Sequence, residues 1–166
     1  MNKPFNPIAV ILIATLGLAG CSSEPSQGPG SRSALGSAAT SGSAGPALPP
    51  GFNDPNSPLS RRVIYFDYDN STIKPEFVEV LRAHARYIAT NPKAKLMLEG
   101  HTDERGTREF NLALAEDRAA AVRRFMRAEG AAESQLGILS FGEEKPAQPG
   151  QGEQIWALNR RVELVY

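Results

Sequence analysis

Residues 100–119 constrain the fold more than any other part of the chain. This stretch leaves a hydrophobic strand pattern, turns at Gly106 and enters a long segment of helix-forming residues. Asn111 and Arg118 lie about two helical turns apart and therefore share one face of that helix. The same face can lie against the strand end that carries Asp103. The sequence therefore predicts that a chain reversal at Gly106 brings Asp103 and Arg118 together.

A carboxylate facing a guanidinium across a small cavity suits a ligand that carries both charges. Asp103 would accept hydrogen bonds from an ammonium group, and Arg118 would hold a carboxylate through two parallel bonds. An internal ion pair or a helix cap is the alternative interpretation of the same two residues. Their spacing taken alone favours that structural interpretation.

Strand and helix patterns alternate from Arg61 onward. Strands are predicted over residues 63–68, 94–100, 137–142 and 160–166, with a helix from Pro75 to Asn91-Pro92, a helix over 108–128 and a short helical turn over 154–158. Apolar residues at helical spacing predict two core stripes: Phe77, Leu81, Ala85 and Ile88, then Ala115, Ala119, Val122 and Met126. The expected fold is an α/β sandwich with two main helices on one face of a mixed four-stranded sheet.

The N-terminal residues have the pattern of an export signal. Lys3 precedes an apolar run over residues 8–19, which is too short to span a bilayer and ends in Leu18-Ala19-Gly20-Cys21. This ending resembles the bacterial lipobox. We expect residues 1–20 to be a cleaved signal peptide and Cys21 to be lipidated. Ser22 favours transport to the outer membrane.

Residues 21–60 change to Ser, Gly, Ala and Pro with few charges. Such a composition buries too little apolar surface to offset its ordering entropy. We expect a lipidated cysteine followed by a disordered, flexible tether. The folded domain is expected over residues 61–166.

Composition excludes several classes of protein. The chain has 166 residues, and its 18 Lys and Arg residues balance its 18 Asp and Glu residues. It has room for one domain of about 100 residues with accessories, so it is not a multi-domain enzyme. The balanced charge argues against a nucleic-acid partner.

Several motifs together resemble a known family. The run from Gly100 to Thr107, its continuation through Ala119, the Phe66-Asp67-Tyr68-Asp69 segment and the Asn159 to Glu163 pattern are similar to the signature of OmpA-like peptidoglycan-binding domains. The resemblance implies that Asp103 and Arg118 hold the diaminopimelate residue of the cell-wall peptide, which favours the ligand-binding interpretation of the pair. It places Asp67 at the pocket, with Thr102 and Asn111 as neutral hydrogen-bonding neighbours.

The resemblance also implies a place in the cell envelope. The expected partners are peptidoglycan, the outer membrane through the lipid on Cys21, and the Tol system that acts in cell division, with TolB as the soluble partner. A family lipoprotein outside the Tol system is the alternative. No cofactor other than the covalent lipid is expected.

A catalytic or metal-binding role is the less favoured interpretation. His101 lies next to Asp103 and Glu104, but no zinc-binding spacing occurs in the sequence. A buried, hydrogen-bonded structural role for His101 is therefore expected, with no metal site. A glycosidase would need a carboxylic acid near neutral pH, and Arg118 would lower the pKa of such an acid. No catalytic residue is expected.

Other residues have two interpretations. Asp67 and Asp69 also fit turn chemistry, which is favoured for Asp69, and Asn111 could simply tie the helix to the Asp103 turn. Arg160 and Arg161 match the family pattern or protect an edge strand. Trp156 packs over a loop or faces a partner.

Overall fold

The computed structural model describes residues 49 and 51–166 of the chain. The strands are β1 (Val63–Tyr65), β2 (Leu96–His101), β3 (Leu136–Gly142) and β4 (Arg161–Val165), and the helices are α1 (Val78–Thr90), α2 (Arg108–Ala128) and α3 (Glu153–Asn159). Short 3-10 helices cover Pro58–Ser60, Pro75–Phe77 and Glu133–Gln135. The predicted signal peptide, Cys21 and the tether up to residue 48 lie outside the described residues.

The four strands form one mixed sheet in the order β1-β4-β2-β3. β4 is antiparallel to both β1 and β2, whereas β2 and β3 are parallel. A parallel pair needs a long crossover, and α2 lies in the connection between β2 and β3. The predicted α/β sandwich is confirmed.

One face of the sheet is buried under α1 and α2. Alternate strand residues, such as Ile64, Leu98 and Val162, join the two helical stripes in a single hydrophobic core. Both predicted stripes are buried along their whole length. The opposite face of the sheet is open to solvent, where Met97 is 39% exposed and Val165 is 41% exposed.

Helix α2 begins and ends at the predicted residues. Gly106 turns the chain with φ at +116°, and the Thr107 hydroxyl accepts a hydrogen bond from the Phe110 backbone N–H at 3.2 Å. At the other end Gly130, with φ at +103°, follows the last turn of the helix. This fixes the helix that carries Asn111 and Arg118.

Two predicted boundaries differ appreciably from the structure. β1 ends at Tyr65 rather than at Tyr68, because the chain turns at Asp69, whose φ is +47°. Packing begins before Arg61: Phe52 is 2% exposed and makes edge contacts with Tyr87 and Tyr166. An isolated aromatic residue in a polar segment gave no periodic signal.

The edge-strand interpretation of Arg160 and Arg161 is wrong. β4 pairs with a strand on each side and therefore lies inside the sheet. Both arginines are buried at 5% exposure and hydrogen-bonded within the domain. Strand order cannot be seen in the hydrophobic pattern of one strand, so the sequence did not reveal this.

Candidate functional site: a charged loop cluster at one end of the sheet

Three connections meet at one end of the sheet. They are the turn after β1, the loop between β2 and α2, and the junction between α3 and β4. These connections carry Asp67, Asp103, Arg105 and Arg160, and Arg118 reaches them from α2. The arrangement follows from the sheet order, because β4 lies between β1 and β2. The result is a compact cluster of charges, here called the loop cluster.

Arg118 is fully buried beneath these loops. Its Nε, Nη1 and Nη2 atoms donate to the backbone carbonyl oxygens of Asn70, His101 and Asp67, each at 2.9 Å. Its guanidinium also lies 5.4 Å from the centre of the Phe66 ring. Three of the five N–H groups thus have acceptors among the described residues. Arg118 ties the turn after β1 to the end of β2.

Burial, together with the nearby charge of Arg160, lowers the pKa of Arg118 to about 10. The Asp103 carboxylate acts in the opposite direction. Arg118 therefore remains protonated at neutral pH. A buried positive charge of this kind attracts anionic groups more strongly than an exposed one, since less water screens it.

Asp103 is 2% exposed and binds two other arginines. Arg105 donates from Nε to Oδ1 at 3.1 Å, from Nη2 to Oδ2 at 2.7 Å and from its backbone N–H to Oδ1 at 3.1 Å. Arg160 donates from Nη1 to Oδ2 at 3.3 Å. Burial alone would raise the pKa of Asp103, but the hydrogen bonds from Arg105 and Arg160 outweigh it and lower the pKa.

The predicted cavity with Asp103 on one wall and Arg118 on the other is not formed in this conformation. Asp103 and Arg118 share the loop cluster, yet within residues 51–166 no salt bridge joins them. Arg118 bonds to backbone carbonyl oxygens, which side-chain patterns do not reveal. Asp103 bonds to Arg105, its near neighbour in sequence, and to Arg160, the residue before β4.

The other predicted site residues have separate roles. The Asp67 side chain is 66% exposed and pairs with Lys74 at 2.7 Å, so only its backbone carbonyl contacts Arg118. Asn111 donates from Nδ2 to Oε2 of Glu143 at 2.5 Å and thus ties α2 to the loop after β3. Thr102 is buried, and its hydroxyl has no hydrogen-bond partner among the described residues. Asp69 lies in a turn, as predicted.

Sequence reasoning missed the part played by Arg105. Its guanidinium lies between two aromatic rings, 4.0 Å from the centre of Tyr68 and 4.1 Å from that of Trp156. Trp156 also donates from Nε1 to Oε1 of Glu104 at 3.0 Å, so it packs over the loop. Such stacking holds a cation in place at modest energy. No spacing rule links Tyr68, Arg105 and Trp156, which come from three different segments.

Arg160 was also missed, although the family pattern contained it. Its Nε donates to the Phe66 carbonyl oxygen at 3.2 Å, and its Nη2 donates to Oε1 of Glu153 at 2.5 Å. Arg105 and Arg160 thus pair with the carboxylates of Asp103 and Glu153, while Arg118 lies buried beneath the loops.

No helix within residues 51–166 is long and apolar enough to cross a membrane.

The fold and the loop cluster define an α/β domain with a buried arginine beneath a charged surface. The family model described as "OmpA family" matches residues 65–160. The chain belongs to the OmpA family.

Individual relatives agree with this assignment. The chain is 39% identical over 160 residues to a "Peptidoglycan-associated lipoprotein" from Pseudomonas putida, covering 96% of each chain. It is 46% identical over 103 residues to a protein of the same name from Haemophilus influenzae, covering 62% of this chain and 67% of the relative. Both relatives are thus named as lipoproteins associated with peptidoglycan.

Solved structures show the same fold. The crystal structure of the peptidoglycan-associated lipoprotein from Burkholderia pseudomallei is 45% identical with a TM-score of 0.68, covering 70% of this chain and 98% of the other. The C-terminal domain of Helicobacter pylori MotB has a TM-score of 0.57 at 24% identity, covering 62% of this chain and 81% of the other. This second likeness concerns the fold alone.

Proposed function

We propose that this protein binds peptidoglycan non-covalently by holding a meso-diaminopimelate residue at the loop cluster. The convergence of Asp103, Arg105, Arg118 and Arg160 at one end of the sheet is the observation that supports it most directly. The relatives named peptidoglycan-associated lipoproteins support the same assignment. The free end of diaminopimelate carries both an ammonium and a carboxylate, which match the two signs of charge in the cluster.

In the proposed complex, the ammonium group of the ligand binds to the Asp103 carboxylate. Arg105 holds that carboxylate at 2.7–3.1 Å and is 30% exposed at its side chain, so it can swing toward solvent. Arg160 remains as the second partner of Asp103. The exchange replaces one charge-assisted contact with another of similar strength.

The carboxylate of the ligand takes the N–H groups of Arg118 that have no acceptor among residues 51–166. These are one N–H on Nη1 and one on Nη2, which together form a fork suited to a carboxylate. Because Arg118 is fully buried, the turn carrying Asp67 and Asn70 must move for the ligand to reach it. Thr102 is the neutral neighbour, and its buried hydroxyl is available as a donor.

Binding of this kind is weak for each copy and strong for many. Charge-assisted hydrogen bonds contribute about 1.5–3 kcal/mol each before ordering costs are subtracted. A lipid on Cys21 and the tether expected after it would keep each domain near the wall. Many copies on one polymer then hold together far more firmly than one copy does.

The same proposal places the protein in the outer membrane, facing the periplasm, as a link between membrane and wall. We assign it to the Tol system with TolB as a partner, where it supports envelope integrity and cell division. The full-length likeness to peptidoglycan-associated lipoproteins supports this assignment over a family lipoprotein outside the system.

A hydrolase is the weaker candidate. General-acid catalysis needs a carboxyl group whose pKa is raised toward neutrality. The arginines instead lower the pKa of Asp103, so this carboxyl stays ionised at neutral pH. Isolated cell walls incubated with the protein should release no soluble fragments.

Co-sedimentation with purified cell walls tests the binding site. Asp103→Asn keeps the shape of the side chain but removes its charge, and should abolish most of the binding. Asp117→Asn is the matched control, because Asp117 is exposed on α2, the helix that carries Arg118. If Asp103→Asn sediments as well as the parent while circular dichroism shows both folded, the site assignment is wrong.

Cell walls that carry lysine in place of diaminopimelate test the ligand. Lysine lacks the second carboxylate that Arg118 is proposed to hold. Binding to these walls should fall sharply. Undiminished binding would exclude the fork between Arg118 and the ligand carboxylate.

A further inference from the structure

Three potential metal ligands meet on the open face of the sheet, away from the ligand contacts proposed above. Glu99 and His101 lie two residues apart on β2 and therefore point to the same face of the sheet. Glu163 lies directly opposite Glu99 on the antiparallel neighbour β4. One ligand atom from each of the three residues lies within 4.8 Å of the other two.

Two carboxylates directly opposite each other repel. Like charges at such cross-strand positions destabilise a sheet. Arg161 neutralises one side, since its Nε and Nη2 atoms contact Oε1 of Glu163 at 2.6 Å. Within residues 51–166, no salt bridge is formed by Glu99. A cation between the two strands would remove the remaining repulsion.

His101 provides the second, independent observation. It is 1% exposed, and neither ring nitrogen has a hydrogen-bond partner among the described residues. His101 is buried, as predicted, but the predicted hydrogen bonds of its ring are not formed among the described residues. Buried polar atoms without partners are rare, and each one calls for an explanation. The Nε2 atom lies 4.0 Å from Oε1 of Glu163, so this side of the ring faces the Glu163 carboxylate.

The surroundings hold this imidazole in one orientation. Stacking on Phe141, with ring centres 5.4 Å apart, holds the plane of the ring.

We propose that Glu99, His101 and Glu163 bind a divalent transition-metal ion of the zinc class. One imidazole nitrogen and two carboxylate oxygens would occupy three corners of a tetrahedron around the ion, and a water molecule would occupy the fourth. Ligand atoms in such a site lie about 3.5 Å apart. Glu99 and Glu163 are only partly buried, so small rotations of their side chains close the gap.

The neighbouring cations set the geometry of the site. Arg161 holds Oε1 of Glu163 and leaves Oε2 for the metal. Lys145 lies with its ammonium 3.6 Å from the centre of the Phe141 ring, so it is held by that ring beside His101. Both cations oppose binding by charge.

The metal would join β2 to β4 at the end of the sheet that supports the loop cluster. The carbonyl oxygen of His101 accepts a hydrogen bond from Nη1 of Arg118 at 2.9 Å. A metal on the ring of the same residue would stiffen the strand end that orients Arg118. The site goes beyond peptidoglycan binding, and it can exist whether or not that proposal holds.

Titration of the chelator-treated protein with Co²⁺ and then Zn²⁺ tests the site. We expect saturable binding of one Co²⁺ per chain with visible absorption bands, displacement by Zn²⁺, and a shift of the His101 ring ¹⁵N resonances. Glu99→Gln should weaken Zn²⁺ binding by about tenfold or more. The matched control is Glu109→Gln, an exposed carboxylate on α2, which should bind as the parent does.

A second readout separates a metal site from a simple structural cluster. Glu99→Gln removes the cross-strand repulsion, so the metal-free variant should melt at a higher temperature than the metal-free parent. Zn²⁺ should raise the melting temperature of the parent but not of the variant. Absence of saturable binding in the parent, or binding that Glu99→Gln leaves unchanged, would overturn the proposal.

Discussion

Arg105 holds the Asp103 carboxylate where the proposal requires an ammonium group of the ligand. Its side chain is 30% exposed and lies between the rings of Tyr68 and Trp156. The same conformation thus holds the guanidinium both on Asp103 and between the rings, and Arg105 must leave Asp103 before the ammonium of the ligand can bind there. In the proposed complex, Arg105 therefore competes with the ligand for Asp103 and does not itself bind the ligand.

Arg105→Gln should increase affinity for a soluble diaminopimelate-containing muropeptide by about two- to fivefold, because a partly exposed ion pair contributes up to about 1 kcal/mol. Isothermal titration calorimetry measures the change. Arg108→Gln is the control, since Arg108 forms an exposed pair with Glu144. A loss of affinity in Arg105→Gln would show that Arg105 binds the ligand directly.

The buried residue His84 makes the stability of the domain depend on pH. It is fully buried, its Nδ1 lies 2.6 Å from the Tyr166 hydroxyl and its Nε2 lies 3.0 Å from the Arg61 carbonyl oxygen. Burial lowers the pKa of His84 to about 4. The unfolded chain therefore binds more protons than the folded one between pH 6.5 and 4.

As the pH falls from 6.5 to 4, His84 alone should consequently lower the free energy of unfolding by up to about 1.4 kcal/mol per pH unit, and it should contribute no slope above that window. Urea unfolding at a series of pH values measures this slope. An NMR titration of the same sample should leave the His84 ring signals unmoved between pH 8 and 5. Titration near pH 6.5 would contradict the burial argument.

For the loop cluster, the sequence predicted which residues lie near each other but not which contacts they make. Helical spacing correctly placed Arg118 near the strand end of Asp103, since both positions follow from one turn. It could not show that Arg118 would bind backbone carbonyl oxygens. Nor could it show that Arg160 would reach Asp103, because the sheet order determines that contact.

At the scale of elements, the tightest constraint is the contact between β2 and α2. A Cβ atom added at Gly100 would lie 2.1 Å from the Ala115 carbonyl oxygen on the helix backbone. Neither backbone can yield without separating the helix from the sheet. This close approach explains why a glycine stands in the middle of a strand, where it would otherwise weaken the structure.

Gly100→Ala should destabilise the domain by about 3 kcal/mol or more, at the upper end of what overpacking costs. Gly130→Ala is the matched control, because no atom lies within 4 Å of its added Cβ and only the positive φ opposes it. That control should cost about 1 kcal/mol. Chemical denaturation compares the two, and equal costs would exclude a steric cause at Gly100.

Helices were predicted more accurately than strands. The stripe of α2 repeats over many turns and is flanked by Thr107 and Gly130, so its bounds were clear. β1 was predicted too long, because Phe66 continues the apolar pattern although the chain is already leaving the strand. The Phe66 backbone N–H still bonds to the Arg160 carbonyl oxygen at 2.9 Å, so Phe66 keeps its strand-like position although it lies outside the regular strand.

At the scale of the whole molecule, Phe52 extends the packed domain beyond the predicted start at Arg61. It is 2% exposed and contacts Tyr87, Tyr166 and His84 by ring edges. These contacts join the segment before β1 to α1 and to the residue that follows β4. The folded unit therefore includes a part of the chain that composition assigned to the tether.

Phe52→Ala should lower the free energy of unfolding by about 3 kcal/mol, as for other buried aromatic residues. Limited proteolysis should then cut the segment before Arg61, which is protected in the parent. Phe110→Ala, at a phenylalanine that is 48% exposed, should change neither property appreciably. Equal protease sensitivity of parent and Phe52→Ala would return the boundary to Arg61.

The interior position of β4 governs when the sheet can form. Among the described strands, β1 pairs only with β4, which follows β2 and β3 in the chain. A nascent chain that ends before residue 161 thus leaves β1 without its partner strand and the sheet incomplete. The pairing of β1 has to wait until β4 has been synthesised.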